Sequence, residues 1–353
     1  MTVNITANEG AAARNAIIEK LQQFALYGVA GALVLLIVLS SHIEAFFNLS
    51  SAFPLVVLAL MLPISALITF RNGFLQGVGK FGTVVRGGMI TSGGRLLLSV
   101  LLVALSASVL GVFAAMVLAP ALTLLLLWSQ TRTALARDVS GDQHVLERGS
   151  VRKELSYGVL VLFATGMVAV LYTADVLIAK HYFSAHDAGL YSGISAIAKI
   201  IFFAVGPVAT VLLSSVKFKN TARENARLLQ KALGVAVLVG GAGLCTFFVF
   251  RDLVVEILIG TRYLELSPLL PLAGLVMFLA ALANVLVFYF LALRRFFLIY
   301  LSVATLVAFA ALVAGSHQSI SAILIDLLYG LAALISILLL VYAKDHFSSS
   351  SRS

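Results

Sequence analysis

Charge is what this sequence has least of. Asp, Glu, Lys and Arg make up only 11% of its 353 residues, where a soluble globular chain carries about 25%. With 61% hydrophobic residues and a mean hydropathy of +1.08, there is too little polar surface to face water, and a soluble domain is excluded. Acids are scarcer than bases, 15 against 24. The resulting excess of +9 lies between long apolar runs and never clusters with an exposed aromatic face, so no nucleic-acid partner is expected. The single cysteine, Cys245, sits in an apolar run, which excludes an internal disulfide framework and any Cys-based metal site. A cleavable leader is not expected either. The first apolar segment follows about 22 polar, amphipathic residues, lacks a small-residue cleavage site and is too long for a signal-peptide core.

What is abundant is uninterrupted apolar sequence. Crossing a hydrocarbon core of about 30 Å takes roughly 20 apolar residues, and ten stretches meet that length: 23–41, 52–70, 84–106, 109–128, 156–179, 188–214, 229–250, 268–292, 297–315 and 319–342. They are continuous and rich in Leu, Ala and Val, without the alternation of barrel strands, so they are read as helices. The expected fold class is all-α, a polytopic transmembrane helical bundle. Lys and Arg fall nineteen to three on alternate sides of these spans. Cytoplasmic connections retain positive charge, which places both termini in the cytoplasm.

The two longest inner connections, 129–155 and 215–228, divide the helices into groups of four and six. The expected organisation is a cytoplasmic amphipathic segment 1–22, a four-helix lobe 23–150, a six-helix lobe 151–343 and a cytoplasmic tail 344–353, its end polar and disordered. Phe70 to Phe81 and Phe288 to Phe296 echo one another, each a helix end running into a basic-aromatic turn, as parallel repeats would produce.

Enzymatic signatures are missing. There is no His-Glu-x-x-His, no nucleophile elbow and no glycine loop followed by Lys-Ser/Thr. Gly77-Val78-Gly79-Lys80 follows a membrane helix rather than a strand, and the six histidines lack ligand spacing. The chain is read as no enzyme, with no metal or cofactor.

Four ionisable residues fall inside the spans: Arg95, Asp175, Lys199 and Asp326. Each costs about 2.5–3.5 kcal/mol at a helix centre, against about 0.3–0.6 returned per Leu-like residue. Insertion survives, and the charge should face protein or water. Arg95 shares a helical face with Thr91, Ser92 and Ser99, and Lys199 with Ser192 and Ser195. Those faces are candidates for lining a hydrophilic cavity, where cations would stabilise an anionic group such as a diphosphate. No acid is evident near either cation. Asp175 and Asp326 lie nearer their outer helix ends, and pairing with Lys180 or Lys199 is the structural alternative for both. Pro63, Pro120 and Pro207 lie inside spans as candidate hinges.

The run from Tyr172 to Tyr191, with Asp175, the short Ser184-containing turn and then Gly189-Leu190-Tyr191, resembles the seventh-to-eighth-helix segment of bacterial O-antigen and capsule polysaccharide flippases. Phe70 to Phe81 resembles that family's amphipathic turn after its fourth helix. These proteins belong to the multidrug/oligosaccharidyl-lipid/polysaccharide superfamily. The resemblance implies two pseudo-repeated lobes that flip an undecaprenyl-diphosphate-linked oligosaccharide from the cytoplasmic to the periplasmic leaflet of the bacterial inner membrane. It also implies partners among polysaccharide polymerase and assembly proteins, besides membrane lipids. Asp175, Gly189 and Tyr191 match family positions, while Arg95 and Lys199 are placed by location alone. The ten spans align as the family's third to twelfth, so the first two are expected to be absent. A cation-coupled small-molecule exporter of the same superfamily and a truncated, non-transporting membrane protein are the alternatives.

Overall fold

The continuous apolar runs become helices because each backbone N–H and C=O must be satisfied within its own segment when lipid surrounds it. The structure, a computed structural model, describes residues 11–47, 49, 51–77, 80–137, 148–216, 220–315 and 318–350. Residues 1–10, the 138–147 connection, Val78-Gly79 of the glycine turn, Lys217, Lys219, His144, His317 and 351–353 lie outside the described residues. In chain order the α-helices are α1 (Ala11–Val38), α2 (Ser40–Phe46), α3 (Phe53–Gly77), α4 (Phe81–Leu102), α5 (Ser108–Arg137), α6 (Arg148–Tyr182), α7 (Ala185–Ser215), α8 (Ala222–Val249), α9 (Arg251–Ile259), α10 (Leu270–Ala292), α11 (Phe297–Gly315) and α12 (Ile320–Ser350). Among the described residues nine helices are long and apolar enough to cross a membrane, and ten if the bent pair α1–α2 is one span. The all-α polytopic bundle is the observed fold.

Several expected boundaries move. The first span does not run straight through 23–41: it bends by 63° between Val38 and Ser40. There Ser40 Oγ donates to the Ile37 carbonyl at 2.8 Å, a side-chain bond that competes with the helical ladder and accompanies kinks. The connection 251–267 between two of the spans is not extended: it is α9 followed by a 3₁₀ segment over Thr261–Leu269. Gly260, at φ 95°, makes the corner between them, and Ser267 Oγ donates to Asp252 across it. The polar tail is helical as far as Ser350. Hydropathy does not register such polar extensions, although they propagate a helix at little cost once it is nucleated.

The chain divides into two compact units, Met1–Ser156 and Tyr157–Ser353. In the first, α4 and α5 run antiparallel about a π-helical turn at Val103–Ala107. Thr91 and Thr123 hydroxyls meet at 2.7 Å, and a Cβ added at Gly94 would lie 3.5 Å from that of Ala119. Small residues on this face let two backbones approach without a hydrophobic drive, as membrane packing requires. Helix α3 lies parallel to α5, with Phe53 edge-on to Phe113 at 5.4 Å.

In the second unit α10 is the central helix, packed on α7, α8 and α12. It is apolar all round, as a helix enclosed by others must be, and Val276, Met277, Ala280 and Ala283 have no exposed surface. Tyr157 at the start of the unit donates through its hydroxyl to the Leu291 carbonyl at 3.3 Å. Glycines set the closest approach: a Cβ at Gly240 would come within 2.6 Å of the Phe278 ring, and one at Gly274 within 2.8 Å of Phe247.

Candidate functional site

The turn between α6 and α7 is only two residues long, because Ser184 caps α7 at once. Its hydroxyl accepts from the Asp187 backbone N–H at 3.1 Å, the usual service of an N-cap serine. So tight a turn sets the register of the two helices and brings Asp175 of α6 against one stripe of α7. Tyr191, Ser195 and Lys199 recur at four-residue steps along that stripe and so share a face.

All three reach the same carboxylate. The Tyr191 hydroxyl donates to Asp175 Oδ2 at 2.9 Å, and Ser195 Oγ donates to the same oxygen. Lys199 Nζ donates to Oδ1 at 3.4 Å. Asp175 is wholly buried, whereas the Lys199 side chain keeps 15% of its surface exposed. A buried carboxylate costs several kcal/mol unless it is paired and hydrogen-bonded, and here both conditions are met. Measured from the helix ends, Lys199 lies about 21 Å along α7 and Asp175 about 10 Å back along α6, at 1.5 Å per residue. Side chains of an α-helix lean toward its N-terminus. The long Lys199 arm therefore runs back toward the turn to find its acid.

This corrects the expectation that Lys199 has no acid nearby, and it chooses between the two lysines considered for Asp175. Lys180, five residues beyond Asp175, points about 140° away around α6. Ser192, grouped with Ser195 by spacing, does not join the cluster: its hydroxyl donates to the Gly189 carbonyl at 2.7 Å. Asp326 is buried on α12, 7% exposed. Tyr191, noted only as part of a motif, proves to be a direct ligand of Asp175. Its signal was the Asp/Tyr pair flanking a short turn.

Arg95 lies on α4 in the other unit. Its Nε is buried and has no hydrogen-bond partner among the described residues. One turn earlier Thr91 is engaged in packing, bonded to the Gly87 carbonyl and to Thr123. A further intramembrane cation went unrecognised in the sequence. Arg71, one residue past the expected end of the second span at residue 70, lies inside α3, donates through Nη1 to Thr131 Oγ1 and stacks 4.0 Å from the centroid of the Trp128 ring. Phe70 and Phe74, four residues apart on either side, carried the signal that the helix continues past the expected end at residue 70.

Residues 18–213, more than half of the chain, match the family described as polysaccharide biosynthesis protein. The chain belongs to that family. No curated protein matches it. Among solved structures it is similar to a multidrug resistance MATE family transporter of the MOP superfamily in an outward-facing conformation, at 15% identity and a TM-score of 0.61, covering 100% of this chain and 84% of that one. It is also similar to a MATE protein in its straight conformation, at 14% identity and a TM-score of 0.62, again covering 100% and 84%. These likenesses establish the fold. The chain is a multi-pass membrane protein of that family, with a fold like that of the MATE proteins.

Proposed function

We propose that the protein flips a lipid-linked oligosaccharide, carried on undecaprenyl diphosphate, from the cytoplasmic to the periplasmic leaflet during assembly of O-antigen, capsule or exopolysaccharide. Its membrane would be the bacterial inner membrane, its termini cytoplasmic, and its neighbours the polymerase and assembly proteins that use the product. The observation that carries this reading is the asymmetry at Asp175. Two hydroxyls hold Oδ2 while Lys199 makes a long contact to Oδ1. If Lys199 swings away, the carboxylate keeps both hydroxyl donors, so the ammonium is the exchangeable member of the cluster. A diphosphate presents more negative charge than a carboxylate and draws the ammonium by a charge-assisted hydrogen bond. In the other unit Arg95 offers a second intramembrane cation whose Nε has no hydrogen-bond partner among the described residues. Neither cation makes or breaks a bond; each stabilises the anionic head as it crosses.

The test is genetic and then biochemical. Deletion of the gene should abolish a surface polysaccharide and leave lipid-linked oligosaccharide in the cytoplasmic leaflet, and the intact chain should restore export. Normal polysaccharide in the deletion strain would defeat the proposal. A second reading, a cation-coupled exporter of small molecules, draws on the buried carboxylate of Asp175 as a proton or Na⁺ carrier. It would be favoured by drug sensitivity of the deletion strain with surface polysaccharide intact.

A further inference from the structure

The turn that ends α10 carries two arginines in an uncommon setting. Arg295 N donates to the Phe290 carbonyl at 3.0 Å and Arg294 N to that of Leu291 at 2.9 Å, the bond pair of a Schellman C-cap. That motif needs a left-handed residue at the place of Arg294, where glycine is the unstrained choice. Arg294 takes it nonetheless, with φ 50°, the one non-glycine residue of positive φ among the described residues. Backbone strain retained at a single residue is commonly a mark of a binding site. Its guanidinium lies 4.6 Å from the centroid of the Tyr157 ring.

Both arginines line a cavity of about 520 Å³, within the roughly 300–1,000 Å³ range of small-molecule sites. Asn220 and Asn225 border it from the start of α8, Tyr289 from α10, and Tyr342 and Asp345 from α12. Arg295 Nη2 donates to Asp345 Oδ2 at 2.5 Å, with the two side chains 48% and 38% exposed. Asn220 at the cavity rim donates to the Ser215 carbonyl, and Ser215 lies roughly 24 Å from Lys199 along α7. The cavity is therefore a second site, apart from the Asp175 cluster.

We propose that this cavity receives a phosphate-bearing headgroup, with the Asp345 carboxylate holding Arg295 until a phosphate replaces it. Two adjacent guanidiniums against one carboxylate leave the cavity with a cationic excess. An ion pair this exposed is weak, whereas a guanidinium fork matches a phosphate through two parallel bonds. Asn220 is held in place on the rim, its Nδ2 donating to the Ser215 carbonyl at 3.2 Å and to Asn225 Oδ1 at 2.9 Å, and the two tyrosines flank the polar body of the headgroup. A bilayer phospholipid and the head of a lipid-linked sugar both present this chemistry, so the proposal does not depend on the flippase reading.

The two members of the Arg295–Asp345 pair distinguish a binding site from a structural bridge. Full-length protein in a phosphate-free maltoside detergent is titrated with dioleoyl phosphatidylglycerol and separately with undecaprenyl diphosphate, and retained lipid is counted by native mass spectrometry. Arg295→Gln should weaken retention at least tenfold, while Asp345→Asn should tighten it severalfold by removing the competing carboxylate. Retention of phosphatidylglycerol alone identifies the bilayer as the source, and retention of the diphosphate alone identifies the lipid-linked substrate. Unchanged or weakened retention in Asp345→Asn would overturn the proposal, even if Arg295→Gln failed to fold. Because transport is not read, failure here leaves the proposed flipping untouched, and the converse holds.

Discussion

Lys199 Nζ stands 3.4 Å from Asp175 Oδ1, the longest of the three contacts around that carboxylate, although the two residues are 24 apart in sequence. The pair joins the only long, partly exposed donor of the cluster to an acid with no exposed surface. Its two members should therefore respond very differently to substitution, the acid through stability and the amine through function.

Removing the acid strands a cation inside the membrane. Asp175→Ala should destabilise the protein by about 3–5 kcal/mol, the cost of breaking a buried pair from one side. Adding Lys199→Met to that background should recover most of the loss, because no charge then remains unpaired. Thermal unfolding in detergent reads both; a double variant no more stable than Asp175→Ala would show that the pair is not what holds the site.

The hydroxyls carry a smaller share. Tyr191→Phe preserves the ring and deletes one hydrogen bond to a carboxylate, which is worth about 1.5–3 kcal/mol. A lowered midpoint with unchanged membrane abundance is the expected outcome, and an unaltered midpoint would place the hydroxyl outside the cluster in solution.

Close packing in the second unit makes an independent prediction. A Cβ at Gly240 would sit 2.6 Å from the Phe278 ring, whereas one at Gly234 of the same helix meets nothing within 4 Å. Gly240→Ala should cost about 1–3 kcal/mol through overpacking. Gly234→Ala should be neutral or slightly stabilising, since Ala is the better helix former. Equal midpoints for the two would contradict the α8–α10 contact.

The spans were legible because lipid demands long apolar runs, and residues 297–315 became a helix with those same limits, Phe297–Gly315. What escaped was whatever hydropathy does not register. Arg148 to Ser156 extends α6 at its polar start, Leu39 lies at a bend beside a local serine bond, and Arg71 falls past the apolar run because its neighbours Asn72 and Gly73 are polar or small. At the site, Asp175 and Lys199 stood out singly as ionisable residues in apolar surroundings. Their union did not, since it depends on helix register and on the N-terminal lean of a lysine side chain. Ser192 and Ser195 looked equivalent by spacing, and only the inter-helix contact separates them.

The central claim is that Lys199 is the exchangeable cation that meets the diphosphate. The most direct test is leaflet accessibility of lipid-linked oligosaccharide in proteoliposomes containing the wild type, Lys199→Arg or Lys199→Ala at matched protein content. Flipping at least tenfold slower with Lys199→Ala, partly restored by Lys199→Arg, is the predicted result. Wild-type flipping by Lys199→Ala would contradict the account and leave the Asp175 cluster a structural feature of the α6–α7 pair.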